Sequence, residues 1–231
     1  MSQKKAVIFD LDGTLLDTLP DITDAMNFVL EKHGLNKREL CEVRSFLGHG
    51  VANLVERSIC DGNDVDRESD DIKRLIAECL AEFREYYNRN CAVRTRPFDG
   101  IVEVVDRLWS MGVCLAVISN KPDGTTKYLC NHFFGDKFKT VIGDSPAFPR
   151  KPDPTSIKYI LEKFECDKAV FVGDSDVDVR SAKNAEIPSV IVTWGFKDRD
   201  FLIENGATVL ADNSDQLFGN LVDILDLKEE I

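Results

Sequence analysis

Short, continuous apolar runs, each followed by a helical pattern, constrain this chain more than any other feature. The runs are 6–9 (AVIF), 113–118 (VCLAVI), 140–142 (TVI), 169–172 (AVFV), 189–193 (SVIVT) and 207–210 (ATVL). They are rich in valine and isoleucine and do not alternate with polar residues. A strand with one wet face alternates, whereas a continuous run suits a strand covered on both faces, as in a parallel sheet. Between the runs, Val102, Val105, Leu108 and Trp109 recur at helical spacing, and so do Ile157, Ile160, Leu161 and Phe164. Strand and helix in alternation predict a doubly wound, mostly parallel α/β sheet.

One region breaks the alternation. From residue 19 to about 90 there is no strand-like run. Ile22, Met26, Val29 and Leu30 share a helical face, and Gly34 follows as a stop. Val51, Leu54, Val55 and Ile59 form a second stripe, and Ile72, Leu75, Ile76, Cys79 and Phe83 a third. So many helical residues between a first and a second strand exceed a simple crossover. They predict an inserted helical domain over 18–90, with the α/β core formed by 1–17 and 91–231. The hinges are expected at 18–19 and in the polar stretch 88–100 (NRNCAVRTRPFDG). The acidic stretch 61–71 is expected to be a solvated loop.

Composition excludes several classes. The net charge of −12 disfavours nonspecific binding to nucleic acid or to an anionic membrane, since both select basic surfaces. It leaves room for a small anionic substrate, because the field of a site is local. The opening MSQKKAVIFD is not expected to act as a signal peptide, since its apolar stretch ends within four residues at a carboxylate. No segment approaches the ~18 consecutive apolar residues of a membrane span. The seven cysteines are odd in number and never form C-x-x-C, which predicts reduced thiols in a cytoplasmic protein, with Cys114 in the core.

Ligands of an open parallel sheet bind beyond the carboxyl ends of its strands, so the residues just after each strand matter. Asp10 and Asp12 come after the first. Ser119, Asn120 and Lys121 come after the second, and a loop leading to Lys151 after the third. Asp174, Ser175, Asp176 and Asp178 come after the fourth. Clustered carboxylates repel unless a cation sits among them. Oxygen ligands without a nearby histidine suit a hard ion, with Mg²⁺ the default, and Mg²⁺ commonly shares its shell with a phosphate. Lys151 and Ser119 would supply a cation and a donor to that phosphate, and the backbone amides after Asp10, at Gly13 and Thr14, can do likewise. A carboxylate facing a phosphoryl group can attack it. A second carboxylate two residues on can protonate the leaving alcohol and later deprotonate water. One aspartate of the D-x-D pair would be the nucleophile and the other the proton carrier.

The segments FDLDGTLLDT, VISNK, RKPDP and VGDSDVDV resemble, in order, the four motifs of the haloacid dehalogenase superfamily, and the likeness covers essentially the whole chain. The resemblance implies a Rossmann-like core with a small helical cap that closes over the site. It implies Asp10 as nucleophile and Asp12 as general acid/base, with Ser119 and Lys151 binding phosphate. It implies Mg²⁺ held by Asp10, the backbone carbonyl of Asp12, and Asp174, with Asp178 orienting the metal site from behind.

Within the superfamily, dehalogenases and phosphonate-cleaving members lack an acid at the position of Asp12, which favours a phosphatase or a phosphomutase. The insert segment 44–58 (RSFLGHGVANLVERS) is similar to the glycine-rich cap loop of phosphoglycolate phosphatases, as are ISNKPD and 192–207 (VTWGFKDRDFLIENGA). The resemblance implies an Mg²⁺-dependent phosphatase acting on a small phosphorylated metabolite such as 2-phosphoglycolate. The alternatives are a β-phosphoglucomutase-like mutase, a broad-specificity sugar-phosphate or nucleotide phosphatase, and a noncatalytic binding protein of the same fold. His49, between two glycines, and Asn120 are candidate substrate contacts. Asp17 and Thr18 are expected to cap a helix, and His33 and His132 to be structural or at the surface. Trp194 comes after a strand end and could face the site. Nothing in the sequence sets the oligomeric state.

Overall fold

The computed structural model describes residues 4–227 apart from 49 and 64. The chain divides into two compact units, 18–95 and the remainder. The return crossing lies between Thr95 and Arg96, inside the polar stretch 88–100.

The core unit opens with β1 (Lys5–Phe9) and a short β2 (Leu16–Asp17). The helical unit follows with α1 (Leu19–Lys32), α2 (Leu40–Phe46), α3 (Val51–Cys60) and α4 (Asp70–Asn90). The core resumes at β3 (Arg96–Pro97), α5 (Ile101–Ser110), β4 (Cys114–Pro122), α6 (Asp123–Phe134) and β5 (Thr140–Asp144). It continues through α7 (Thr155–Phe164), β6 (Lys168–Gly173), α8 (Asp176–Asn184) and β7 (Ser189–Val192). It ends with α9 (Arg199–Glu204), β8 (Leu210–Ala211) and α10 (Ser214–Leu225).

Among the described residues, six strands form one sheet in the order β5-β4-β1-β6-β7-β8, and every pairing is parallel. The continuous apolar runs are explained by this sheet. Ala6, Ile8, Ala116, Ile118 and Phe171 bury one face against Ile157, Ile160 and Phe164 of α7 and Ala182 of α8. The alternate residues Val7, Phe9, Leu115, Val117, Val170 and Val172 are buried too, with α5 over β4 and α10 over β6 and β7. Each large apolar side chain buried this way contributes about 1.5–3 kcal/mol. The 207–210 run is the exception. Its first three residues precede the strand, which begins only at Leu210, because β7 pairs there through Ile191 and Val192.

In the helical unit α1 packs on α2, α3 and α4. Ile22, Met26, Val29 and Leu30 are buried, and the helix stops before Gly34 at φ +69°. The third stripe is buried at Cys79, Phe83 and Tyr87, whereas Ile72, Leu75 and Ile76 are half-buried. The short helix α2 was not legible, having only Val43 and Phe46 buried. The ends of this unit are tied by a buried carboxylate: Asp21 accepts from the amides of Arg94 and Thr95 and from Thr95 Oγ1 at 2.8–3.0 Å. On the core side the two crossing segments pair as antiparallel β2 and β3.

Two expectations change. Trp109 is 54% exposed, because the face of α5 that packs carries Ile101, Val104, Val105 and Leu108. Thr18 occupies the N-cap position of α1 without a side-chain cap bond. Pro20 in the first turn lacks an N–H, so one donor fewer needs capping there. Asp17 lies in β2 rather than in a cap. No described helix is long and apolar enough to cross a membrane.

Candidate active site

The carboxyl ends of β4, β1, β6 and β7 lie side by side, and each is followed by a loop that supplies polar groups. After β1 the chain turns sharply. The amides of Leu15 and Leu16 donate to Leu11 O at 3.0 Å, and Gly13 N donates to Leu16 O at 2.9 Å. Gly13 sits at φ +81°, and a Cβ there would fall closer than 3.0 Å to the Asp174 carboxylate. The turn therefore needs glycine twice over, for its backbone and for the approach of Asp174. The Gly13 amide is engaged inside the turn, and Thr14 Oγ1 lies 3.4 Å from Asp174 Oδ1. Both residues build the turn around Asp174.

Lys151 lies at the centre of the buried charges. Its Nζ is 2.9 Å from Asp10 Oδ1 and 2.7 Å from Asp178 Oδ1. Its backbone is clamped by Asn120, which accepts from Lys151 N at 2.9 Å and donates to Lys151 O at 3.2 Å. Asn120, expected as a substrate contact, thus holds the loop that carries Lys151. Ser119 is buried, and its Oγ accepts from Lys121 N at 3.3 Å, which leaves its proton for donation.

Asp178 has two jobs. Its Oδ2 accepts from Ser175 Oγ at 2.6 Å and from the amides of Ser175 and Asp174 at 3.1 and 3.2 Å, a capping box at the start of α8. Its other oxygen holds Lys151. Asp174 is buried and accepts from Phe196 N at 2.7 Å. Asp12 has its own cation: its Oδ1 lies 2.8 Å from Lys121 Nζ. The Lys121 side chain is 4% exposed. This ion pair was missed in the sequence; its one signal was a lysine directly after Ser119 and Asn120 at a strand end. His49 lies outside the described residues.

Asp10, Asp174 and Asp178 each offer an oxygen within 4.8 Å of the others. Burial pushes the Asp10 carboxyl up to about 7, with Lys151 opposing and Asp178 reinforcing that rise. Burial, then the neighbouring Asp178 and Asp10, holds Asp174 well above the ordinary carboxylate range. Burial alone would lower Lys151, but Asp10 and Asp178 outweigh it and raise its pKa. Three buried carboxylates thus face one buried ammonium. Such a surplus is costly in a dry site, and a divalent cation would balance it. The donors are all oxygens, which fits a hard ion. Asp10, Asp174 and Asp178 each offer an oxygen to such an ion.

The haloacid dehalogenase-like hydrolase family model matches residues 7–192. A phosphoglycolate phosphatase from Neisseria meningitidis serogroup A is 34% identical over 223 residues, covering 95% of this chain and 92% of that protein. One from Rhodospirillum rubrum is 32% identical, covering 90% of this chain and 87% of that protein. A crystal structure from Lactobacillus delbrueckii subsp. bulgaricus, provisionally assigned as a phosphoglycolate phosphatase, superposes with a TM-score of 0.88. It is 32% identical and covers 95% of this chain and 99% of that one.

Proposed function

This chain belongs to the haloacid dehalogenase-like hydrolase family, and from that premise we propose that it hydrolyses 2-phosphoglycolate, or a phosphomonoester of similar size, through a phosphorylated Asp10. Its kinship with phosphoglycolate phosphatases makes it a phosphoric monoester hydrolase. The observation that carries the finer reading is the buried set of Asp10, Asp174 and Asp178 gathered about Lys151.

In the first step an Asp10 carboxylate oxygen attacks phosphorus. The P–O bond to the alcohol breaks, and Asp12 gives its proton to the leaving oxygen. In the second step Asp12 takes a proton from water as that water attacks phosphorus. The bond between phosphorus and Asp10 breaks, freeing inorganic phosphate and restoring both aspartates. Lys151 and Ser119 hold the phosphoryl oxygens, and Lys151 offsets the charge that develops on them. Asp10, Asp174 and the carbonyl of Asp12 would hold Mg²⁺. When bound, the ion would neutralise phosphoryl charge and let an anion approach the Asp10 carboxylate.

Phosphate release from a panel of small phosphomonoesters, with and without Mg²⁺, tests the reading. Preference for 2-phosphoglycolate that depends on Mg²⁺, lost in Asp10→Asn, is the expected result. Isomerised sugar phosphate without phosphate release would replace the phosphatase with a mutase. Turnover unchanged in Asp10→Asn would remove the nucleophile.

A further inference from the structure

The segment 193–196 (TWGF) after β7 lies outside the four motifs that resemble the family and borders the site. It touches the Asp174 neighbourhood in three separate ways. The amide of Phe196 donates to Asp174 Oδ2 at 2.7 Å. The indole Nε1 of Trp194 donates to Thr14 O at 3.2 Å, so the segment also grips the turn after β1. Gly195 is packed so closely that a Cβ would fall within 3.0 Å of Asp174 Cβ, Asp174 Oδ2 and Gly13 O. Gly195 is not among the glycines at positive φ. Its small size is therefore required by the packing and not by the backbone.

The segment is itself anchored. Thr193 N donates to Ala211 O at 3.0 Å and Thr193 Oγ1 to Asp212 Oδ1 at 2.7 Å, which ties its base to β8. The ring of Trp194 lies 6.2 Å from that of Phe98. A buried carboxylate that accepts a backbone amide loses orientational freedom, and an anchored amide fixes it in one direction.

We propose that residues 194–196 are a positioning element for the metal-binding carboxylate. Gly195 and the Phe196 amide fix the Asp174 side chain, and Trp194 locks the turn after β1 against it. Asp174 and the Asp12–Thr14 turn, which come from different strands, are thereby presented to the divalent ion as one preorganised surface. The proposal rests on the reading that Asp174 holds that ion. It assigns positioning roles and no new reacting group.

Binding of Mn²⁺ to the purified protein, followed by the electron paramagnetic resonance signal of the free ion, tests this without turnover. Gly195→Ala is expected to weaken Mn²⁺ binding by roughly tenfold or more while circular dichroism reports an intact fold. Trp194→Phe keeps the ring and removes the donor to Thr14, and is expected to weaken binding by a smaller factor. In Trp109→Phe, which leaves Trp194 as the sole tryptophan, emission should change with Mn²⁺ and saturate at the same concentration. Wild-type affinity in both Gly195→Ala and Trp194→Phe would overturn the positioning role. Should Gly195→Ala fail to fold, Trp194→Phe decides alone. Wild-type protein that binds no Mn²⁺ would instead overturn the metal site itself, and the positioning role with it.

Discussion

Nζ of Lys121 lies 2.8 Å from Oδ1 of Asp12, an ion pair between groups 109 residues apart in the chain. The lysine comes from the polar end of β4, two residues beyond Ser119. It pairs the proposed proton carrier, whereas Lys151 pairs Asp10 and Asp178. A carboxylate that must give and take protons at a fixed point in space benefits from a partner that fixes its direction. Lys121→Met should lower kcat on the order of tenfold with little change in KM, since general acid–base catalysis as a whole is worth 10²- to 10⁴-fold. Steady-state kinetics with the preferred phosphomonoester would show this. A rise in KM at unchanged kcat would place Lys121 on the substrate instead.

Asp10→Asn should abolish turnover and alter stability in a pH-dependent way. In the metal-free protein burial pushes the Asp10 carboxyl up to about 7, against about 4 in an unfolded chain. Between those values the folded state holds a proton that the unfolded chain has released. Stability from this group is complete below about 4 and is lost as pH rises through about 7. Metal-free Asp10→Asn lacks that loss. Its Tm should therefore gain on wild type as pH is raised from 5 to 8. A constant difference across that range would contradict the assignment.

Asp178 is fully buried and serves both the α8 cap and Lys151. Asp178→Ala removes one of the two carboxylates that pair Lys151 and the side-chain half of the α8 capping box, while Asp10 still pairs the ammonium, a loss of about 1–3 kcal/mol. Asp178→Asn keeps polar atoms at the cap and should lose less. Urea unfolding of the two variants gives the ordering directly.

Two glycines at positive φ separate backbone cost from crowding. Gly34 is at φ +69° with open space where a Cβ would go, so Gly34→Ala should cost about 1–2 kcal/mol and leave kcat unchanged. Gly13 is at φ +81° against Asp174. Gly13→Ala should lose activity as well, because the Asp174 carboxylate must move. Tm and kcat measured on both variants distinguish the two costs.

The sheet was legible because a strand buried on both faces must be apolar throughout, and the runs beginning at Ala6, Val113 and Ala169 lie within or abut β1, β4 and β6. The helical insert was legible because Ile22, Met26, Val29 and Leu30 repeat at the helical period. The candidate site was legible as a set of polar residues, since carboxylates placed straight after buried strands demand an explanation from local sequence alone. Which polar groups meet was not. Lys121 with Asp12, Asn120 with the backbone of Lys151, and Phe196 with Asp174 are pairings across separate loops. The placement of β1 between β4 and β6, and of β7 beside β6, brings those loops together. The sequence by itself determined the elements and the chemistry available at their ends, because period and composition are local properties. Only the tertiary structure decided the partners, because strand order is set by packing over the whole sheet and no single segment encodes its neighbour.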